Sequence, residues 1–271
     1  MPIDKEFVGQ VIDQSSGVLE KAYDDLAHPT AKSLGNTLSL IPRTIGVWLS
    51  KWEKWVINGE ESIRLTAEAV REKAEKIPEE KLTEPEPYVA IPAVQQLSYC
   101  YDSEELREMY ANLLVSSMNT DTKQNVHPSF VDIIKQLCPD EAKLLNSISG
   151  QSGAHSKSMK YNPLIDLQVQ LGSGRGHVCL LRNYTNIGEN VCDAPQNISA
   201  YIENLDRLKL ICILEDTHLT DSANYVPLES SPFYVAHKQV ALAPGQSFTS
   251  KKKSFYVTAF GEAFIKTCIQ Q

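Results

Sequence analysis

Hydrophobic positions recur along this chain mostly at helical spacing. Phe7, Val11, Val18, Leu19, Ala22 and Leu26 mark a first amphipathic helix, which His28-Pro29 stops. Leu34, Leu38, Ile41, Ile45, Trp48, Trp52 and Trp55 then alternate steps of four and three, as a coiled-coil seam does, with Pro42 predicting a kink or break. After Gly59 the seam resumes at Ile63, Ala67, Val70, Ala74 and Ile77. The run PEEKLTEPEP is charged and proline-rich and reads as a linker over 78–90.

Residues 91–150 pack several helix starts and stops into one block. Pro92 suits a first turn, where its missing N–H is harmless, and Val94, Leu97 and Tyr101 fall on one face behind it. A second helix is predicted to start at Asp102, with Glu105 completing a capping box and Leu106, Met109, Tyr110, Leu113 and Leu114 as its buried stripe. A third follows Pro128, with Phe130, Ile133, Ile134 and Leu137 inward. A fourth starts at Pro139, carries Asp140 and Glu141 in its first turn, buries Leu144, Leu145 and Ile148, and can end at Gly150.

Beyond a Gly, Ser and Lys-rich stretch the period changes. LIDLQVQL and the apolar run from His177 to Leu181 predict two strands flanking GSGRG. Asn197 is placed to cap a helix that buries Ile198, Tyr201, Ile202, Leu205 and Leu208, and LKLICIL, 208–214, reads as a strand. A long segment punctuated by Pro227, Pro232 and Pro244-Gly245 leads to the strand SFYVT and a closing helix with Phe260, Ala263, Phe264 and Cys268. The order helix, strand, excursion, strand with T-x-x-G, helix resembles a winged-helix domain, although the excursion is longer than loop priors favour. The expected class is α+β: an N-terminal helical region (1–77), a linker (78–90), a central helical block (91–150) and a winged-helix-like α+β region (151–271).

The run from DSEELREMYANLL through VHPSFVDIIKQLCPDEAKLL resembles the core of the Abi-alpha (abortive infection alpha) family of bacterial proteins. The resemblance is best over 91–148 and extends to Arg43 to Trp55, to Tyr201 to Ile213 and to TAFGEAFIK. It implies an anti-phage role, exercised through protein contacts as sensor, adaptor or effector. It carries over no functional residue.

Composition narrows the alternatives. The net charge of −8 lies in the first 150 residues and the remainder is nearly balanced, which disfavours general nucleic-acid binding. The six cysteines form no C-x-x-C pair and read as reduced thiols. The start MPIDKEFVGQV has no signal-peptide pattern and the apolar stretch broken by Arg43 is too short to span a bilayer, so a cytoplasmic location is expected.

Candidate chemistry is sparse. Trp48, Trp52 and Trp55, interleaved with Lys51 and Lys54, form either a packing or self-association face, the preferred reading, or an interfacial membrane helix, which is the basis of a third reading as a membrane-acting toxin. GSGRG lacks the third glycine and the following helix of a dinucleotide fingerprint, so it reads as a hairpin turn. The helix NISAYIENLDRLKL balances Glu203 and Asp206 against Arg207 and Lys209, unlike a groove-reading helix. Arg207 with Lys251, Lys252 and Lys253, placed in the expected wing, are the nucleic-acid contacts of the alternative reading, a DNA-binding regulator. The six histidines show no zinc spacing, His127 before Pro128 reads as a turn residue, and no nucleophile signature occurs. The expectation is a non-enzymatic protein without metal or cofactor, forming a homo-oligomer or binding a protein partner.

Overall fold

The computed structural model describes residues 60–97, 100, 103–151, 161–172 and 176–269. The seam from Leu34 to Trp55 and the first amphipathic helix lie outside them. The helical part comprises α1 (Glu60–Ala74), α2 (Pro87–Leu97), α3 (Glu104–Ser117), α4 (Ser129–Lys135) and α5 (Pro139–Gln151).

At its centre is α3, whose residues from Met109 to Ser117 are all buried. A helix covered on every side must satisfy its polar side chains internally. Asn112 and Ser116 do so by donating to the carbonyls of Cys268 and Thr267, at 3.0 and 3.1 Å. These carbonyls belong to the last turn of the closing helix, where no intrahelical donor remains for them.

Two helix starts differ from expectation. Ser103, not Asp102, caps α3: it is extended (φ −126°, ψ 107°) and its hydroxyl accepts from Leu106 N at 3.2 Å. Pro87 opens α2, which leaves Pro92 inside it. The expected linker 78–90 is partly ordered by pairing. Leu82 bridges Asn119, Thr83 N donates to Met118 O and Thr120 N to Lys81 O, both at 2.9 Å.

The α+β class is correct. Strands β1 (Tyr161–Gln170), β2 (His177–Tyr184), β3 (Ile211–Leu214) and β4 (Ser247–Val257) form one antiparallel sheet in the order β2-β1-β4-β3. The two strands expected as a wing are thus half of a wider sheet. Before β3 comes α6 (Ile198–Arg207), positioned at Asn197, although the Asn197 side chain makes no capping bond. The strand starts at Ile211 rather than Leu208 because Leu208 ends the helix and Lys209 turns with φ +60°.

Alternation along the strands sends side chains into two cores. Leu164, Ile211 and Phe255 join the helical block, in a cluster running from Val70 to Cys268. Ile165, Leu167 and Leu181 face the other way, under Tyr225, Leu228 and Tyr234. Those last three come from the excursion, which carries a 3-10 turn (Ser222–Tyr225), α7 (Val226–Glu229) and α8 (Pro232–His237). It is a covering layer rather than a loop: Tyr225 OH donates to Lys253 O at 2.8 Å, and Tyr234 OH meets Ser250 Oγ at 2.6 Å.

The T-x-x-G motif locks α9 (Ala259–Cys268) to this sheet. Thr258 Oγ1 accepts from Gly261 N at 2.9 Å and donates to Lys209 O at 2.6 Å. A Cβ on residue 261 would lie 1.9 Å from Leu210 O, so only glycine allows the approach.

Candidate functional site

A cleft of about 200 Å³ opens where α1, α3, α5 and the end of α9 converge. Its geometry follows from helical spacing. Glu105, Glu108, Met109 and Asn112 are one face of α3, and Ala142, Lys143 and Asn146 one face of α5. Lys73 reaches in from α1, and Cys268 with Ile269 closes the inner end.

Two ion pairs span the rim. Lys73 Nζ lies 2.9 Å from Glu108 Oε2, and Lys143 Nζ lies 3.5 Å from Glu105 Oε1. Lys143 also meets Asp193 at 2.8 Å, and this hydrogen bond, ahead of the surrounding acidic charge, pushes its pKa up to about 12. Lys143 is therefore a cation at neutral pH. At the inner end, burial alone pushes the Cys268 thiol well above its ordinary range.

Beside the cleft, the first turn of α5 ties the helical block to the chain after β2. Asp140 accepts from Asp193 N and Ala194 N, each at 2.8 Å, and from Tyr201 OH at 3.1 Å. Burial pushes its carboxyl up, but these three bonds and Lys143 hold it below its ordinary value. Glu141 accepts from Cys138 N at 2.7 Å and from Asn204 Nδ2 at 2.8 Å. Read in the sequence as helix-start acids only, the pair is also a tertiary clamp onto α6.

The structure scatters the residues singled out for nucleic-acid contact. Lys251, Lys252 and Lys253 sit in β4, not in a wing loop. Lys253 has 0% exposure and pairs with Asp166 Oδ1 at 2.8 Å and Glu215 Oε1 at 3.4 Å, while donating to Asn183 Oδ1. Lys252 lies on the opposite face, 5.0 Å over the Tyr225 ring. Lys251 meets Glu215 and Asp216 at 3.4 and 3.6 Å. Arg207 donates to Asn204 and Gln136. Trp48, Trp52 and Trp55 are outside the described residues. His127 is a turn residue, its Nδ1 accepting from Ser129 N at 3.2 Å. Among the described residues no three His, Cys, Asp or Glu side chains group to hold a metal, and no helix is long and apolar enough to cross a membrane.

The family model for abortive infection alpha matches residues 58–268. The chain belongs to that family. Membership implies an abortive infection, anti-phage role for this Abi-alpha protein. The matched span takes in every helix and strand from α1 to α9, and with them all of the cleft except Ile269. No curated protein and no solved structure matches the chain.

Lys73, Lys143 and Glu108 carry no local signature in the sequence, and Glu105 reads there only as the acid of a capping box. A signal was present in the repeat Glu105, Glu108, Asn112, a polar row that runs into the buried half of α3. What the sequence withheld was which helices face that row.

Proposed function

We propose that this Abi-alpha protein restricts phage from the cytoplasm through protein contacts, as a sensor, adaptor or effector rather than an enzyme. The observation that carries the mode of action is the surface of the excursion. Its tyrosines seal one face of the sheet, yet Val226, Val235 and Val240 remain 58, 45 and 54% exposed. Exposed apolar side chains on one covering layer offer a partner surface where a partner draws them together. The tryptophan seam would supply self-association.

Expression of the full chain, with neighbouring genes where it lies in an operon, should lower plaque numbers for some phages. A Val226→Asp/Val235→Asp/Val240→Asp variant should lose protection with an unchanged Tm. Full protection by that variant would refute the excursion as the contact surface. A single Cys or His substitution that left a folded, inactive protein would instead mark a catalytic centre.

A further inference from the structure

We propose that the cleft between α1, α3, α5 and the end of α9 binds a small zwitterion: a free amino acid, or a molecule of that size bearing one ammonium and one carboxylate. The inference goes beyond protein contacts and does not depend on them.

Size sets the first limit. A dry cavity of about 150 Å³ takes up benzene. The cleft, at about 200 Å³, admits a molecule of amino-acid size and excludes a nucleotide. Its inner wall of Met109, Ala142 and Cys268 suits a short apolar side chain.

Charge sets the second. The lining holds two ammoniums, Lys73 and Lys143, and two carboxylates, Glu105 and Glu108, so its formal charge cancels. Both pairs are partly solvated: Glu108 is 45% and Glu105 34% exposed. Such pairs contribute little to stability and open readily. The carbonyl end of α9, where Asn112 meets Cys268 O and Ile269 O, adds negative potential at the inner wall.

A ligand ammonium would sit toward the glutamates and that helix end, and its carboxylate toward the lysines. A simple amine drawn to the glutamates would leave Lys73 without a carboxylate, although Lys143 keeps Asp193, and a simple acid would face the glutamates. A molecule with both charges replaces the partner of each ionised group whose pair it opens on the rim.

The test is calorimetric titration and thermal shift of the full chain with the standard free L-amino acids, one at a time. For any binder, the matched decarboxylated amine and deaminated acid serve as controls. At least one amino acid should bind saturably and raise Tm by about 5 °C or more at about 100 times Kd, with both controls at least about tenfold weaker. Asn146→Trp places a large ring on an exposed rim position and should abolish binding without lowering Tm. Lys73→Met, which opens one pair, should weaken it about tenfold. Absence of saturable binding by every amino acid, equal binding of a control, or wild-type affinity in Asn146→Trp would overturn the proposal.

Discussion

Lys253→Met removes the ammonium from the middle of the sheet while keeping nearly all of the side-chain volume. In the native protein this charge has 0% exposure and faces Asp166, whose side chain is 5% exposed, at 2.8 Å. Without it, Asp166 keeps the Asn183 N–H at 2.8 Å but remains a buried carboxylate with no counter-charge. Breaking one side of a buried pair costs about 3–5 kcal/mol. For a chain of this size each kcal/mol moves Tm by about 2–4 °C, so a fall of roughly 6–20 °C is expected in calorimetry. Adding Asp166→Asn should restore about half of the loss or more, because the stranded charge goes with it. The acid limb gives an independent reading. Burial raises the Glu215 pKa, but the charge and hydrogen bond of Lys253, together with those of Lys251, outweigh it and leave the carboxyl below its ordinary 4.5. A depressed folded pKa stabilises above the unfolded value and is lost as pH falls through the folded one. Lys253→Met should therefore flatten stability against pH in that window. A Tm within about 2 °C of wild type, with the acid limb unchanged, would refute the buried-charge reasoning.

Gly261→Ala should cost about 3 kcal/mol or more, because its methyl would meet the Leu210 carbonyl at 1.9 Å; urea denaturation measures this. Asp140→Ala leaves the Asp193 and Ala194 N–H groups without their acceptor and should cost about 1–3 kcal/mol. Because the Asp140 carboxyl titrates below its ordinary value, this stabilisation is present at neutral pH and fades as acid protonates it, so the gap between wild type and variant should close at low pH. Among the described cysteines, Cys179 is exposed while Cys100, Cys192 and Cys268 are buried, so native labelling by a thiol reagent, mapped by mass spectrometry, should reach Cys179 first. Labelling at Cys268 before Cys179 would contradict the packing.

Local spacing in the sequence was enough for α3, α4 and α5, for the hairpin strands around GSGRG, and for the closing helix. In each case one residue's neighbours along the chain decide its environment. The cap of α3 slipped by one residue because Asp102 and Ser103 both have capping side chains, and only backbone direction separates them. The three lysines misled for a deeper reason. Adjacent charges read as an exposed wing, yet in β4 they alternate: Lys252 turns to Tyr225 and Lys253 to Asp166. Lys253 tolerates burial only because Asp166, Asn183 and Glu215 arrive from other parts of the sheet, which no local pattern reveals. The cleft was hidden likewise, since its rim pairs join three helices.

The place of β4 also governs when the fold can be completed. It lies between β1 and β3 and pairs with β1 from Tyr161↔Tyr256 to Gln170↔Ser247. During synthesis the β1–β2 hairpin has its contacts at once, whereas β3 has no strand partner until residues near 257 leave the ribosome. Through that interval β1 and β3 each present an unpaired edge, a template for wrong pairing between nascent chains. A chain cut short before β4 would lose the strand that joins the two halves of the sheet.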